Sequence, residues 1–434
     1  MTEGARWFSP APSELSAARL SLDFGLRAAD LWFRERVVPE LGGVRFVRQL
    51  SWPVAALALH AEWKQTRGSA PRPSAICHGL EALACKLEYW HEPGEGPSDR
   101  VRGRRAFDRD FADDTNGEVW DFARLRRPTY YVRNTFRQTA SRVLRVETGL
   151  GFVRGPRFDQ FALEKVGEEL ADAFLDQPVG KGGGSLRKLL LTWLQDGLEP
   201  DRLTRSVREA LSPDRPTAPE CKVVRARLFE VGTAGCATRT HLAAAVGRAK
   251  EPPDLDTVVV ENLRARGRDA QARDLRAARA FGAMLDRSLD VAARVTELVE
   301  ASGAGIGVTA LAQDKQMASR TKALRDAARR LGARAEEAGI VEPDSRAYAM
   351  AVVQAAEDAA VVARVVTAAG ELFALADSTV ARGPLFRVIA GAAEDDAASE
   401  VVRDEGTTTE LTDRTFRVAN LHALACDLDA GSKA

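Results

Sequence analysis

The chain has 434 residues, 45% of them hydrophobic, and its 62 basic side chains balance its 62 acidic ones. That length exceeds one ordinary core and points to two or three domains. The composition is globular rather than disordered or fibrous. No apolar run nears the ~20 residues that span a bilayer. The opening MTEGARWFSPAPSEL lacks the basic start and apolar centre of a secretory signal. Five cysteines without a CxxC pair point to reduced thiols and a cytoplasmic location. The excess of arginine over lysine and the abundant alanine point to a GC-rich bacterial source.

Along the chain, Leu15 to Val38 has the apolar spacing of a helix, with Leu20, Leu22, Leu26, Leu31 and Phe33 in one stripe. Pro53 to Lys64 reads as a second helix with its proline near the first turn. Ser74 to Trp90 reads as a third, with Ser74 as N-cap. Glu92 to Asp114, with two prolines and three glycines, reads as a loop. Thr129 to Val146 reads as a basic helix. Phe152–Val153 and Phe158–Leu163 then flank Gly155-Pro156 as two short strands, and Glu164 to Leu175 closes as a helix. Gly180 to Gly184 is a linker-like break, after which Ser185 caps a helix through Trp193. Asp201 to Leu211 reads as helix, and Val223 to Val231 fits helix or strand equally. From Leu255 the pattern is nearly all helical: Leu275–Ala301, Val308–Ala338, Arg346–Ala381 and Arg414–Leu428, broken at Gly303, Gly305 and Gly307.

The neutral total hides an uneven distribution. Val101 to Lys250 holds 27 basic and 20 acidic residues, whereas Val341 to Ala434 holds 8 and 16. The densest basic stretch, RLRRPTYYVRNTFRQTASRVLR from Arg124 to Arg145, has seven arginines and no carboxylate. Arginines on a helix face neutralise backbone phosphates and make binding salt-dependent. The expected phosphate contacts are Arg124, Arg126, Arg127, Arg133, Arg137, Arg142 and Arg145, joined by Arg154 and Arg157 of the hairpin. Asn134, Thr135 and Gln138 are placed to reach base edges or phosphates. The competing reading is a solvated basic face that pairs with the acidic C-terminal part.

A basic helix, the hairpin GLGFVRGPRFDQFAL and the closing helix EKVGEELADAF together resemble the winged-helix domains of bacterial DNA-associated proteins. The resemblance covers about a quarter of the chain. It implies either DNA binding or protein–protein contact through that unit. It also brings by analogy the bacterial genome-maintenance and antiphage systems in which such domains join helical arms.

Other motifs are weaker. Pro213-Asp214 followed by Glu220-Cys221-Lys222 has the residue types of a PD-ExK nuclease, in which two carboxylates hold Mg²⁺, but too few residues separate them for a strand and turn. The segment GKGGGS, Gly180–Ser185, lacks the spacing of a phosphate-binding loop and reads as a joint. Cys77, His78 and Cys85, and the pair His422 and Cys426, are too scattered for a structural zinc site. No catalytic residue, metal site or cofactor is expected.

These readings define a mainly α protein. An aromatic-rich helical domain with a winged-helix-like unit would occupy residues 1–178, a helical linker domain 179–254, and a C-terminal helical bundle or coiled-coil arm 255–434. The expected function is a non-enzymatic subunit that binds double-stranded DNA and holds a protein partner or a second copy through its C-terminal helices. The alternatives are a scaffold whose winged helix binds protein, and a metal-dependent nuclease.

Overall fold

The helix Arg48–Arg67 (α2) organises the N-terminal half, because its first three turns are buried on every side. Such a helix can only be central. In the computed structural model, which describes residues 23–91, 100–113, 120–132, 134–180, 184–197, 203–231, 233–247, 254–384 and 414–432, it follows α1 (Arg27–Val37) and packs against α3 (Pro73–His91). Phe46 and Trp52 sit edge to face with ring centroids 6.1 Å apart, and Phe46 meets Phe136 at 5.1 Å, so aromatic rings fill the centre.

Next come α4 (Arg104–Asp113), the single turn α5 (Phe122–Leu125) and α6 (Phe136–Leu144). Strands β1 (Val153–Arg154) and β2 (Ala162–Leu163) pair antiparallel, with Val153 opposite Leu163, and α7 (Lys165–Leu175) returns onto α2. A second two-residue ladder, β3 (Pro178–Val179) with β4 (Gly184–Ser185), leads into α8 (Leu186–Asp196). Helices α9 (Arg205–Leu211), α10 (Ala218–Phe229), α11 (Cys236–Val246) and α12 (Val260–Ala265) follow. The rest comprises α13 (Asp269–Ser302), β5 (Ile306–Gly307), α14 (Val308–Ala312), α15 (Lys315–Glu337), α16 (Pro343–Gln354), α17 (Asp358–Ala368), the hairpin β6 (Phe373–Ala376) and β7 (Thr379–Arg382), and α18 (Val418–Gly431). The fold is mainly α with small antiparallel sheets. No helix among the described residues is long and apolar enough to cross a membrane.

Spatially the chain divides into two units. The larger draws on Ala29–Gly282, Leu331–Glu342 and Arg403–Ala434, the smaller on Met1–Ala28, Ala283–Arg330 and Pro343–Val402. The core of the larger unit includes Trp52, Phe136, Phe152, Phe174 and Trp193. That of the smaller unit includes Val291, Val295, Leu324, Tyr348, Val365 and Val380.

Several elements differ from the sequence reading, each for a local reason. The first helix starts at Arg27, because Phe24 and Gly25 turn the chain with φ of 52° and 74°; residues 15–22 lie outside the described set. Helix α2 starts five residues before Pro53, which therefore lies inside it and cannot donate to the Gln49 carbonyl. Ser74 is not the cap of α3. Its N–H and hydroxyl both donate to the Asp159 carboxylate, at 2.7 and 2.9 Å, so the cap comes from another part of the chain. The end of the expected 92–114 loop is helical, because Ala106, Phe107 and Asp110 form a buried stripe; residues 92–99 and 114 are not described. Residues 158–160 form a 3₁₀ turn rather than strand. The ambiguous 223–231 segment is helical through Phe229 and starts at Ala218 behind a Thr217–Glu220 capping box. Val308–Ala338 is two helices, and Arg346–Ala381 is two helices and a hairpin. Asp377 and Ser378, with φ of 47° and 62°, make the two-residue hairpin turn. Residues 394–410, which include seven acidic side chains, lie outside the described residues.

Candidate nucleic-acid interface

The expected basic helix from Thr129 to Val146 is shorter than its pattern implies. Pro128 disfavours helix for the residue before it, residues 126–132 run as turns and bends, and α6 opens only at Phe136. Thr135 starts it with a capping box in which the Gln138 Oε1 accepts the Thr135 N–H at 3.2 Å. Gln138 is exposed but already engaged there. Tyr131 therefore precedes the helix and is buried, its hydroxyl donating to Cys85 Sγ at 3.1 Å.

The N-terminal end of α6, where backbone N–H groups could cradle a phosphate, is occupied. Glu81 of α3 accepts the N–H of Phe136 at 2.8 Å and of Arg137 at 2.7 Å. Burial raises the Glu81 carboxyl pKa and these bonds offset part of the rise. Beside it, burial, reinforced by the Arg137 guanidinium, lowers the His78 imidazole to about 4. Burial and the same carboxylate push the Cys77 thiol up.

The arginines fall into two groups. Arg124 is committed to structure: it bonds Asp110, which also takes Lys86 and the Tyr130 hydroxyl in a buried network. Its hydrogen bonds to Lys86 and Tyr130 outweigh desolvation and hold the Asp110 carboxyl below its usual range, while burial and Asp110 raise the Tyr130 phenol. Arg137 is half-buried, its guanidinium 5.2 Å from the Phe158 ring centroid. Arg126 is exposed and lies over Phe122 at 5.5 Å. The Asn134 carbonyl accepts from Arg102 at 2.7 Å.

The second group faces water. Arg142 reaches Glu35 at 3.6 Å with its side chain 51% exposed, and Arg154 reaches Glu164 at 3.0 Å while 68% exposed. Arg145, half-buried, meets the exposed Glu147 at 3.2 Å. Arg127 and Arg157 are exposed as well. A β-bridge between Arg145 and Val153 joins the end of α6 to β1, so Arg142, Arg145 and Arg154 come from adjoining segments. Arg133 lies outside the described residues.

Sequence reasoning missed the carboxylates that organise this region: Glu35, Glu81, Asp110 and Glu164. Each comes from a different element, and a window of local charge contains at most one of them.

The residues of the nuclease reading serve the fold. Glu220, fully buried, accepts the Thr217 N–H at 2.9 Å and hydroxyl at 3.0 Å and pairs with buried Arg48 at 3.2 Å. Asp214 pairs with Arg100 at 3.1 Å. Among the described residues, no group of three or more His, Cys, Asp or Glu side chains is placed to hold a metal ion. His422 and Cys426 are 3.7 Å apart on α18. Ser185 caps α8 as its sequence implied, accepting the Lys188 N–H at 3.3 Å, while residues 181–183 of the glycine-rich joint are not described. No protein-family model, no curated protein and no solved structure matches this chain.

Proposed function

We propose that this protein is a non-enzymatic, DNA-associated subunit that holds duplex phosphates with Arg127, Arg142, Arg145, Arg154 and Arg157. The observation that carries the reading is the solvent exposure of Arg142 and Arg154 on adjoining segments, each paired with one half-buried carboxylate, Glu35 or Glu164. Such pairs are worth about 0–1 kcal/mol, so a phosphate replaces the carboxylate at little cost. Arg124 and Arg137 are excluded from this set, because their guanidinium groups are spent on Asp110 and Phe158. Membership of a bacterial genome-maintenance or antiphage complex rests on the winged-helix resemblance alone.

Fluorescence anisotropy of a labelled 30-base-pair duplex over a salt series tests the reading. Wild type is expected to bind with an affinity that falls steeply with salt. The variant Arg142→Glu/Arg154→Glu is expected to bind more weakly with a shallower slope, each lost contact removing up to about 0.9 from it. Binding unchanged by the double charge reversal would move this surface to a protein partner.

A further inference from the structure

The smaller unit carries a second basic element whose cations are placed differently. Helices α14 and α15 are joined by only Gln313 and Asp314. Leu311 of α14 and Met317, Thr321, Leu324 and Ala328 of α15 are buried, at helical spacing on one face. The opposite face of α15, carrying Lys315, Ser319, Lys322, Arg329 and Arg330, is exposed.

Asp314 fixes the junction. Its carboxylate accepts the N–H groups of Gln316 and Met317 at 3.1 and 3.0 Å, and Arg294 grips both its oxygens at 3.0 and 2.9 Å. Its charge is thereby matched and does not oppose Lys315. Immediately ahead of α14, β5 pairs with β7, whose other neighbour is β6, and the Ser378 carbonyl accepts the Val308 N–H at 2.8 Å. A five-residue helix, a two-residue turn and a basic second helix thus follow one another directly after β5, and the exposed face of that second helix is its basic one.

The charge is also free to act. Val308 to Arg330 holds six basic and two acidic residues. One acid is Asp314, held by Arg294, and the other is Asp326, paired with Arg329 at 2.8 Å. Among the described residues, Lys315, Lys322 and Arg330 have no carboxylate partner, unlike Arg124, Arg142, Arg145 and Arg154. Helix α14 exposes Thr309 and Ala310 and carries no acid, and Gln313 of the turn is exposed as well.

We infer that the α14–α15 pair is a second duplex-binding surface, with Lys315, Lys322 and Arg330 on phosphates and Ser319 between the lysines towards the groove. A duplex carries one negative charge per ~1.7 Å of axis, a density that the chain's own acidic stretch 394–410 does not approach. This surface adds to the DNA-association reading and uses none of the residues that carry it.

The test uses the full chain and the labelled 30-base-pair duplex over a salt series, comparing Lys315→Glu/Lys322→Glu with Arg142→Glu/Arg154→Glu. The α15 variant should lose affinity on the order of 50-fold at 0.1 M salt, and its salt slope should fall by about two. Both lysines are exposed and an acid in the first turn suits the helix dipole, so circular dichroism should be unchanged. Lys315→Arg/Lys322→Arg should retain wild-type binding. Loss in the α15 variant alone supports this surface and removes the hairpin one; loss in both supports both. Loss in the hairpin variant alone overturns the inference, as does a wild type that binds no duplex at low salt. Unchanged duplex binding, with new protease cleavage within 394–410 in the α15 variant, also overturns it and gives α15 to the chain's own acidic stretch.

Discussion

Replacing Arg48 with methionine should be among the most destabilising single changes in the larger unit, although Arg48 touches no candidate ligand. Its side chain is wholly buried, and burial lowers its pKa against the pull of Glu220 and Asp427. The guanidinium donates to the carbonyls of Ala210 and Arg215, both at 2.6 Å, pairs with Glu220 at 3.2 Å and lies 4.6 Å from the Phe174 ring centroid. Removing one partner of a buried pair costs about 3–5 kcal/mol. Glu220 keeps the Thr217 N–H and hydroxyl, which eases the loss, while two carbonyls lose a donor worth about 1 kcal/mol each. A net cost of about 4 kcal/mol follows, which at a urea slope of about 2 kcal/mol/M lowers the midpoint by about 2 M. The assay is equilibrium urea unfolding followed by tryptophan fluorescence, because Trp52 and Trp193 are buried in this unit. The double variant Arg48→Met/Glu220→Gln removes both charges, so its cost should fall short of the summed single costs by about 1–3 kcal/mol. A single-variant loss under about 1 kcal/mol, or strict additivity in the cycle, would refute the reasoning.

Two further outcomes are expected. The native state holds His78 neutral down to about pH 4, whereas an unfolded imidazole takes its proton near 6.5. Stability should therefore be lost as pH falls from 6.5 to 4, by up to about 3 kcal/mol from this group. Urea midpoints at pH 7, 5 and 4 should fall less in His78→Gln than in wild type, and parallel losses would dismiss His78 as the source. In the smaller unit, Ser378 takes a φ of 62° in a two-residue turn. Ser378→Gly removes that strain and should slow hydrogen exchange at Val380 by an amount equal to about 1 kcal/mol, with unchanged exchange counting against it.

The parts legible in the sequence were those whose causes are local. The Ser185 cap of α8, the paired strands around Gly155 and the span of α7 are each set by neighbours within a few residues. The start of α6 was equally local, since Thr135 and Gln138 spell its capping box, but the four-residue recurrence of Tyr131, Thr135 and Thr139 concealed it. Strands β6 and β7 were unreadable for a different reason. FALA and TVAR are rich in alanine, and Asp377-Ser378 lacks the glycine that announces a hairpin, so helical periodicity carried straight through. The partners of the arginines were out of reach altogether. Glu81, Asp110 and Glu35 meet the 124–145 segment only because α3, α4 and α1 pack beside it.

That last point governs what a basic segment can bind. Counterion release counts phosphates gained, but an arginine that leaves a carboxylate for a phosphate frees an anion that recruits cations of its own. Net ion release per contact is then smaller. Arg142 and Arg154 must leave Glu35 and Glu164, whereas among the described residues Lys315 and Lys322 have no carboxylate to leave. The 124–145 stretch is the more basic by composition, yet the less available. If both surfaces hold duplex, the slope lost in Lys315→Glu/Lys322→Glu should approach about 0.9 per lysine. The slope lost in Arg142→Glu/Arg154→Glu should be clearly smaller per arginine, and equal losses would mean that the surface carboxylates do not restrain their arginines in solution.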